Sequence, residues 1–214
     1  VTGRGFLEPD VLARRVAGAD EYAVPPSPDP RPAIVGFARD LAARGITLVL
    51  VPTPVKPTVH PERLASWFAE VSAPLQNASY ARWVEAVQQE GAHVFDPAPL
   101  LAARHAETGA AQYLATDTHW RPEAAAAVAA ALAEFLRREV ALPAQPPAGY
   151  RAVTRQAIAR GDTLVTLDLP QGQTLYPSET VPLQHVVDPG GEPWRPAPEA
   201  DVLRIARAVA ESGA

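Results

Sequence analysis

An apolar segment without alternation, residues 46–51, constrains the fold of this chain more than any other feature. A strand that is apolar at every position is covered on both faces, which is typical of a parallel sheet in an α/β domain. The residues before it, 32–44, place apolar side chains at helical spacing, and Gly45 ends that pattern as a left-handed cap. The sequence therefore predicts a helix that leads into a buried strand.

The rest of the chain repeats this alternation. Helices are predicted over residues 61–68, 77–89, 98–105 and 121–140, and a second short strand over 93–96. The order of helices and strands predicts a doubly wound α/β domain with right-handed crossovers. Further strands are predicted at 163–169, 174–176 and 181–187, a possible strand start at 200–203, and helical segments at 9–17 and 204–212. Asn77 is expected to cap the helix that it precedes.

A chain of 214 residues can bury one substantial core. We predict three parts: an irregular N-terminal arm at residues 1–31, an α/β core at 32–142, and a strand-rich segment at 143–214 that completes the domain. Proline clusters at 25–32 and 143–147 mark the connections between them.

Composition excludes several classes of function. The formal net charge of −5 gives no electrostatic support for binding nucleic acid. No run of ~18 apolar residues predicts a membrane span. The chain has no cysteine, so disulfides and thiolate chemistry are excluded. It begins at Val1 without a visible export signal and contains no methionine, so we expect a processed or trimmed product or one read from an alternative start codon. The absent signal therefore does not reveal the compartment.

The motif Asp117-Thr118-His119 carries the clearest chemistry. A carboxylate beside an imidazole fixes the tautomer of the ring and stabilises the imidazolium once the ring takes a proton. In an extended segment residues i and i+2 project the same way, so both side chains can share one face. The alternative is that Asp117 or Thr118 only caps the helix beginning near Pro122.

Lys56 follows the carboxyl end of the first predicted strand, the edge of an open α/β sheet where ligands bind. It is a candidate substrate contact, and a solvated loop lysine is the alternative.

Asp96, His105, Asp117 and His119 could supply ligands to a metal ion, but the sequence has no closely spaced histidine pair. We expect no metal ion and no cofactor.

Four blocks in order then carry a resemblance. They are ITLVLVPTPVKP at 46–57, PLQNASY at 74–80, VFDP at 94–97 and YLATDTHWRP at 113–122. Together they resemble the SGNH hydrolase-like domain of the AlgX/AlgJ alginate O-acetyltransferases. The resemblance implies a flavodoxin-like three-layer α/β/α sandwich with a mainly parallel sheet. It also implies a circularly permuted order, in which the Asp-x-His motif precedes the nucleophile.

The resemblance further implies a periplasmic enzyme that moves acetyl groups from a donor onto exopolysaccharide hydroxyls, together with other exopolysaccharide-assembly proteins. By position, His119 is the general base and Asp117 orients it. Trp120 packs behind the motif and, with Lys56 and Arg121, is a candidate substrate contact.

The chain departs from the family at the nucleophile. The family supplies it in a Gly-Asp-Ser or Gly-Thr-Ser block after an apolar strand similar to residues 200–203. Here Arg204 follows, and no such block occurs. Ser178 and Ser212 are the least implausible substitutes. We therefore expect activity of this chain to be undetectable or greatly reduced. The alternatives are a non-catalytic carbohydrate-binding or scaffold protein, or a coding sequence truncated or shifted in frame after Leu203.

Overall fold

The structure is a computed structural model that describes residues 30–68, 70–71, 73–142, 149–170 and 172–193. Helices and strands alternate through the first part of the chain, as predicted. In order they are α1 (Arg31–Ala42), β1 (Val49–Leu50), α2 (Lys56–Val59), α3 (Tyr80–Gln89), β2 (His93–Val94), α4 (Ala98–Thr108), α5 (Pro122–Glu139), β3 (Arg151–Ala159), α6 (Asp162–Thr166) and β4 (Glu179–Val187).

Strands β1 and β2 form a parallel pair, which confirms the parallel pairing predicted from the apolar segment. Val49 pairs with His93 and Leu50 with Val94, and the amide of Phe95 donates to the carbonyl of Leu50 at 2.9 Å. Each strand has two residues, fewer than predicted. The pair is therefore held mainly by the side chains that pack against it.

One buried cluster lies between this pair and helices α1 and α3. Its buried members are Val87, Ala92 and Val94, and the partly buried side chains against it are Ile34, Leu50, Trp83 and Val84. Val87 is fully buried, and burying a valine side chain stabilises the fold by about 1.5–3 kcal/mol. Trp83, Val84 and Val87 belong to the apolar face predicted for α3, whereas of the face predicted for α1 Ile34 packs here and Phe37 is 54% exposed.

A second buried cluster joins α2, α4 and α5 to the segment that precedes α5. Its members are Val59, Leu101, Tyr113, Ala124 and Val128, with Phe95, Leu100 and Trp120 packed against them. Because Tyr113 and Trp120 flank the Asp-x-His motif, this cluster fixes both ends of the motif to the body of the domain.

The chain divides into two compact units, one of Val1–Leu142 with Arg160–Pro177 and the other of Pro143–Ala159 with Ser178–Ala214. In the described part of the second, β3 and β4 pair antiparallel from Arg151 with Val187 to Ala159 with Glu179. Strand β4 contains the predicted strand at 181–187, whereas β3 was not predicted. The division falls inside the predicted strand-rich segment, because residues 160–177 group with the first unit.

Three local predictions are wrong. Residues 163–169 form helix α6 and a turn instead of a strand, because the chain turns sharply at Gly161 and the amide of Thr163 bonds the carbonyl of Thr116 at 3.3 Å. Residues 174–176 form no strand, since the side chain of Gln173 holds Tyr176 in a turn. The predicted helix at 61–68 is two 3-10 helices, Pro61–Arg63 and Ser66–Phe68.

One further local prediction concerns Asn77, and three predicted segments lie outside the described residues. The prediction that Asn77 caps α3 is wrong, because the N-cap of this helix is Ser79, with no side-chain cap bond. Oδ1 of Asn77 instead accepts the amide of Ser79 at 2.9 Å, in the turn before the helix. The predicted segments at 9–17, 200–203 and 204–212 lie outside the described residues. Among the helices of the described ranges, none combines the length and apolar character needed to cross a bilayer.

Candidate functional site

The Asp-x-His motif lies on a closed loop between Gln112 and Arg121. Tyr113 and Trp120 form an antiparallel bridge, the amide of Leu114 donates to the carbonyl of His119 at 3.2 Å, and the amide of Arg121 donates to that of Gln112 at 2.9 Å. These bonds join the two arms of the loop at its base. Residues 115–119 therefore form a tight loop with fixed ends.

Three residues from the segment after β1 attach this loop to the body of the domain, two through their side chains and one through its backbone carbonyl. Buried His60 accepts the amide hydrogen of Gln112 on Nε2 at 3.0 Å, and the carbonyl of Pro54 accepts the hydroxyl of Tyr113. Lys56, the only lysine of the chain, donates from Nζ to the carbonyls of Leu114 at 2.5 Å and Ala115 at 3.1 Å. Lys56 thus holds the backbone that leads into the motif.

Asp117 and His119 are joined by two hydrogen bonds to one carboxylate oxygen. Oδ1 of Asp117 lies 2.6 Å from Nδ1 of His119 and accepts the backbone amide of His119 at 2.9 Å. A carboxylate only accepts, so Nδ1 carries a proton, and Nε2 is the nitrogen that can take another. The side chain of His119 is 76% exposed and that of Asp117 13%.

The pair meets through a turn, which corrects the predicted extended segment. Residues 115–119 form turns and bends, and an aspartate that bonds the amide two residues on is typical of such a turn. Helix α5 has Arg121 as its N-cap and no capping side chain. The alternative that Asp117 or Thr118 caps this helix is therefore wrong.

The contact between Asp117 and His119 lowers the pKa of the carboxyl group and raises the pKa of the imidazole. The hydrogen bond and the negative charge of Asp117 raise the pKa of His119 above 6.5. Burial opposes ionisation of Asp117, but hydrogen bonds from His119 and from the amide of Asp162 outweigh it, so the pKa of Asp117 is lowered. The arrangement stabilises an imidazolium beside a carboxylate, as a general base with its orienting group requires.

Asp162, at the start of α6, is a site residue that the sequence did not predict. Its Oδ1 accepts the amide hydrogen of Thr118 at 2.8 Å, and its Oδ2 accepts the hydroxyl hydrogen of Thr118. Its own amide donates to Oδ2 of Asp117 at 3.0 Å. The signal available in the sequence was the pair Gly161-Asp162, a flexible residue and an acid that suit a helix start.

Gly161 makes this contact sterically possible. Its φ is +85°, and a Cβ at this position would lie 2.9 Å from the carbonyl carbon of Thr116 and closer still to the oxygen atoms of that residue. Only glycine fits a positive φ at such a close approach.

A cavity of about 660 Å³ adjoins the loop. Three segments border it: residues 53–57 after β1, residues 115–118 of the loop, and α6 with the residues that follow it. The lining residues are Thr53, Pro54, Val55, Lys56, Pro57, Ala115, Thr116, Asp117, Thr118, Thr163, Leu164, Leu167 and Tyr176.

The other two predicted substrate contacts lie at the base of the loop. Trp120 packs against the buried cluster that contains Tyr113, and Arg121 faces Glu123, with 3.7 Å between Nε and Oε2. Neither is among the residues that line this cavity. Lys56 and Asp117 line the cavity, whereas His119 is bonded to Asp117 but is not among the lining residues. The roles of all five residues in substrate binding or catalysis stay predictions.

Two groups of side chains in the described ranges bring metal-ligating atoms within 4.8 Å of one another: His60 with Glu62 and His105, and Asp117 with His119 and Asp162. In the first, the amide of Gln112 occupies Nε2 of His60, so the neutral ring carries its proton on Nδ1, which faces Glu62 at 3.3 Å. In the second, hydrogen bonds join the same atoms. Within the described ranges, Oε1 of Glu62 has no hydrogen bond and lies 3.4 Å from Nε2 of His105, so hydrogen bonding accounts for the second group only.

The four ligands considered from the sequence are not brought together. Asp96 accepts the amide of Ala98 at the start of α4 at 2.9 Å, and His105 lies beside Glu62.

Comparisons with known proteins place this chain in a family. The family model for the SGNH hydrolase-like domain of the acetyltransferase AlgX matches residues 17–201. Two relatives described as probable alginate O-acetylase AlgJ match: the Pseudomonas aeruginosa protein is 31% identical over 134 residues, and the Pseudomonas putida protein 33% over 131. These matches cover 63% and 61% of this chain, and the chain spans about a third of the length of each relative.

Two solved structures share the fold. The O-acetyltransferase domain of Pseudomonas putida AlgJ superposes with a TM-score of 0.56 and 26% identity, over 76% of this chain and 55% of that one. Pseudomonas aeruginosa AlgX superposes with a TM-score of 0.58 and 22% identity, over 78% of this chain and 38% of that one. The family match extends over most of the sequence and confirms the resemblance carried by the four blocks. The chain belongs to the family of AlgX acetyltransferase-type SGNH hydrolase-like domains.

Proposed function

We propose that this chain carries the base and its orienting carboxylate for O-acetylation of an alginate-like exopolysaccharide. The observation that carries the proposal is the 2.6 Å bond between Oδ1 of Asp117 and Nδ1 of His119, which leaves Nε2 to take a proton. The names of the AlgJ relatives supply the substrate class. We propose the periplasm as its compartment, and the permuted three-layer sandwich as the arrangement of the whole domain.

In the proposed reaction a serine hydroxyl attacks the carbonyl carbon of a donor acetyl group and passes its proton to Nε2 of His119. The bond from the acetyl carbon to the donor breaks, and the proton goes to the leaving group. A glycan hydroxyl then gives its proton to Nε2 and attacks the acetyl carbon, and the bond to the serine oxygen breaks as that oxygen takes the proton back. Asp117 stabilises the imidazolium in each half of the reaction. The charge of Asp117 raises the pKa of His119, in keeping with this role.

The hydroxyl nucleophile is the missing part. The sequence contains no Gly-Asp-Ser or Gly-Thr-Ser block. In the described ranges no serine hydroxyl is hydrogen-bonded to His119, and Oγ of Ser79 bonds Asn77 instead. Removing one member of such a triad leaves a residual acceleration on the order of 10³–10⁴ over water. We therefore expect turnover by this chain alone to be undetectable or greatly reduced.

The cavity supports a second candidate function, glycan binding without catalysis. Its lining combines apolar side chains with Lys56 and the half-exposed ring of Tyr176, the mixture that suits a hydroxyl-rich ligand. Gln173 fixes Tyr176 by bonding both its amide and its carbonyl at 2.8 Å. A non-catalytic member of the family would keep this surface.

One experiment separates these functions. Binding of mannuronate oligosaccharides is measured by calorimetry, and acetyl transfer from an aryl acetate is followed by mass spectrometry of the oligosaccharide. The proteins are the chain itself, His119→Ala, Asp117→Asn and, as a matched control, His93→Ala. Any transfer above background is expected to disappear in the first two variants and to persist in the control.

Each outcome has a defined meaning. Transfer that survives in both His119→Ala and Asp117→Asn contradicts the proposed base. Oligosaccharide binding with no transfer by any of the proteins supports the binding function. Robust transfer that depends on His119 shows that the chain contains its own nucleophile, and Ser178→Ala and Ser212→Ala then identify it.

A further inference from the structure

We propose that Asp162 is a positioning residue for the Asp117–His119 pair, which it holds through the backbone and hydroxyl of Thr118 and through its own amide. The inference rests on the proposed function only in taking His119 as the base. Its structural content concerns contacts between two segments that are far apart in the sequence: the hydrogen bonds join residues separated by 44 or 45 positions.

The amide of Asp162 fixes the carboxylate of Asp117. Oδ1 of Asp117 faces His119, and Oδ2 accepts the amide of Asp162 at 3.0 Å. The terminal torsion of an aspartate is broad when its oxygens are unpaired. With each oxygen committed to a different partner, the carboxylate plane is fixed and one oxygen stays directed at the ring.

The carboxylate of Asp162 fixes the residue between the two members of the pair. It accepts both the amide, at 2.8 Å, and the hydroxyl of Thr118. Charge-assisted hydrogen bonds of this kind are roughly twice as strong as neutral ones. Thr118 cannot rotate without breaking both bonds, so the turn that brings Asp117 to His119 is held from outside the loop.

The same carboxylate places a second negative charge beside the base. Its Oδ2 lies 3.4 Å from Nδ1 of His119. A negative group at this distance favours the protonated ring. Hydrogen bonds from Thr118 keep Asp162 itself ionised, because they lower its pKa.

The alternative is that Asp162 is only an acidic residue at the start of α6 and interacts with the helix dipole alone. That role would stabilise α6 and leave the ring of His119 unaffected. The titration of His119 distinguishes the two roles, because a purely structural acid has no means of moving it.

The test is the NMR titration of His119 in the full chain labelled at histidine. The spectrum of His119→Gln identifies its signals among the five histidines. The variants are Asp162→Asn, which keeps the shape and removes the charge, and Asp162→Ala. Asp168→Asn removes an exposed carboxylate from the same segment and is the matched control.

We expect the pKa of His119 to be lower in both Asp162 variants than in the parent chain and unchanged in Asp168→Asn. The proton is expected to stay on Nδ1 in Asp162→Asn. Where His119-dependent acetyl transfer is measurable, Asp162→Asn should lower kcat about tenfold and change KM by less than about twofold, because part of the gain from general-base catalysis is lost.

The proposal is overturned if His119 titrates in Asp162→Asn as it does in the parent chain. If Asp162→Ala does not fold, the isosteric Asp162→Asn and Thr118→Val, which removes only the hydroxyl donor, still decide it. The titration needs no turnover. Transfer that survives in both His119→Ala and Asp117→Asn refutes the proposed function and leaves the titration result standing, whereas an unshifted pKa in Asp162→Asn refutes this inference alone.

Discussion

Replacing Gly161 with alanine tests the contact on which the site depends. The backbone at Gly161 has φ +85° and ψ 123°, a combination that alanine adopts at a cost of about 1–3 kcal/mol. The added Cβ would also overlap the backbone of Thr116, only 2.9 Å from its carbonyl carbon. Overpacking of this kind costs about 1–3 kcal/mol. The two effects together predict a loss of roughly 2–6 kcal/mol in the free energy of unfolding.

Gly109→Ala is the matched control. Gly109 ends α4 with φ +66°, and a Cβ there meets nothing within 4 Å, so only the backbone cost of about 1–2 kcal/mol remains. Urea unfolding of both variants, followed by tryptophan fluorescence, gives the two losses on one scale. We expect Gly161→Ala to lose more than Gly109→Ala. Equal losses would show that the approach of Gly161 to Thr116 does not constrain the chain, and would refute the reasoning.

Three further predictions concern the loop and its attachments. Lys56→Met removes the ammonium from the carbonyls of Leu114 and Ala115 and is expected to lower the free energy of unfolding by about 2 kcal/mol; an unchanged urea midpoint would contradict the anchoring role. His60→Ala leaves the buried amide of Gln112 without its acceptor, at a cost of about 1–3 kcal/mol. Burial, followed by the charge of His105, lowers the pKa of His60, so the stability that this histidine contributes is present above pH 6.5 and is lost as the pH falls through its folded pKa. The Asp117–His119 pair stabilises the fold over its own range of pH. The pKa of His119 is raised, so its stabilisation is fully present below pH 6.5 and is lost as the pH rises through the folded pKa. The pKa of Asp117 is lowered, so its stabilisation is fully present above pH 3.8 and is lost as the pH falls through the folded pKa. The stability difference between the parent chain and His119→Gln should therefore be largest between these pH values, and a difference that instead grows toward pH 8 would contradict the pairing.

The sequence predicted the features that depend on local pattern. Helical spacing indicated α1 and α3 and the packed face of α3, but it also placed Phe37, which is exposed, on the packed face of α1. The apolar segment at residues 46–51 indicated a strand in a parallel pair, which β1 and β2 form, but Ile46 and Val51 at its ends are exposed where cover on both faces was expected. Such patterns record which face of an element is buried, and burial is what drives these elements together.

The sequence also identified Asp117 and His119, but by a route that was partly mistaken. Their bond follows from a turn, in which one oxygen accepts both the amide and the ring of His119. Spacing of two residues is compatible with both an extended chain and such a turn. The choice between them was made by the contacts that close the loop at Tyr113 and Trp120.

Only the tertiary structure showed what holds this loop in place. Lys56 was predicted as a substrate contact at the end of a strand, which stays a prediction, and only the structure showed that its ammonium also reaches backbone carbonyls 58 and 59 positions away. Asp162 lay in a segment rich in β-branched residues, which favoured a strand, and the contact of Gly161 with Thr116 turned that segment into a helix start. Local sequence sets the conformations that a segment can adopt. Hydrogen bonds between distant segments decide which conformation forms next to the Asp117–His119 pair. Those hydrogen bonds exist only once the core has brought the segments together.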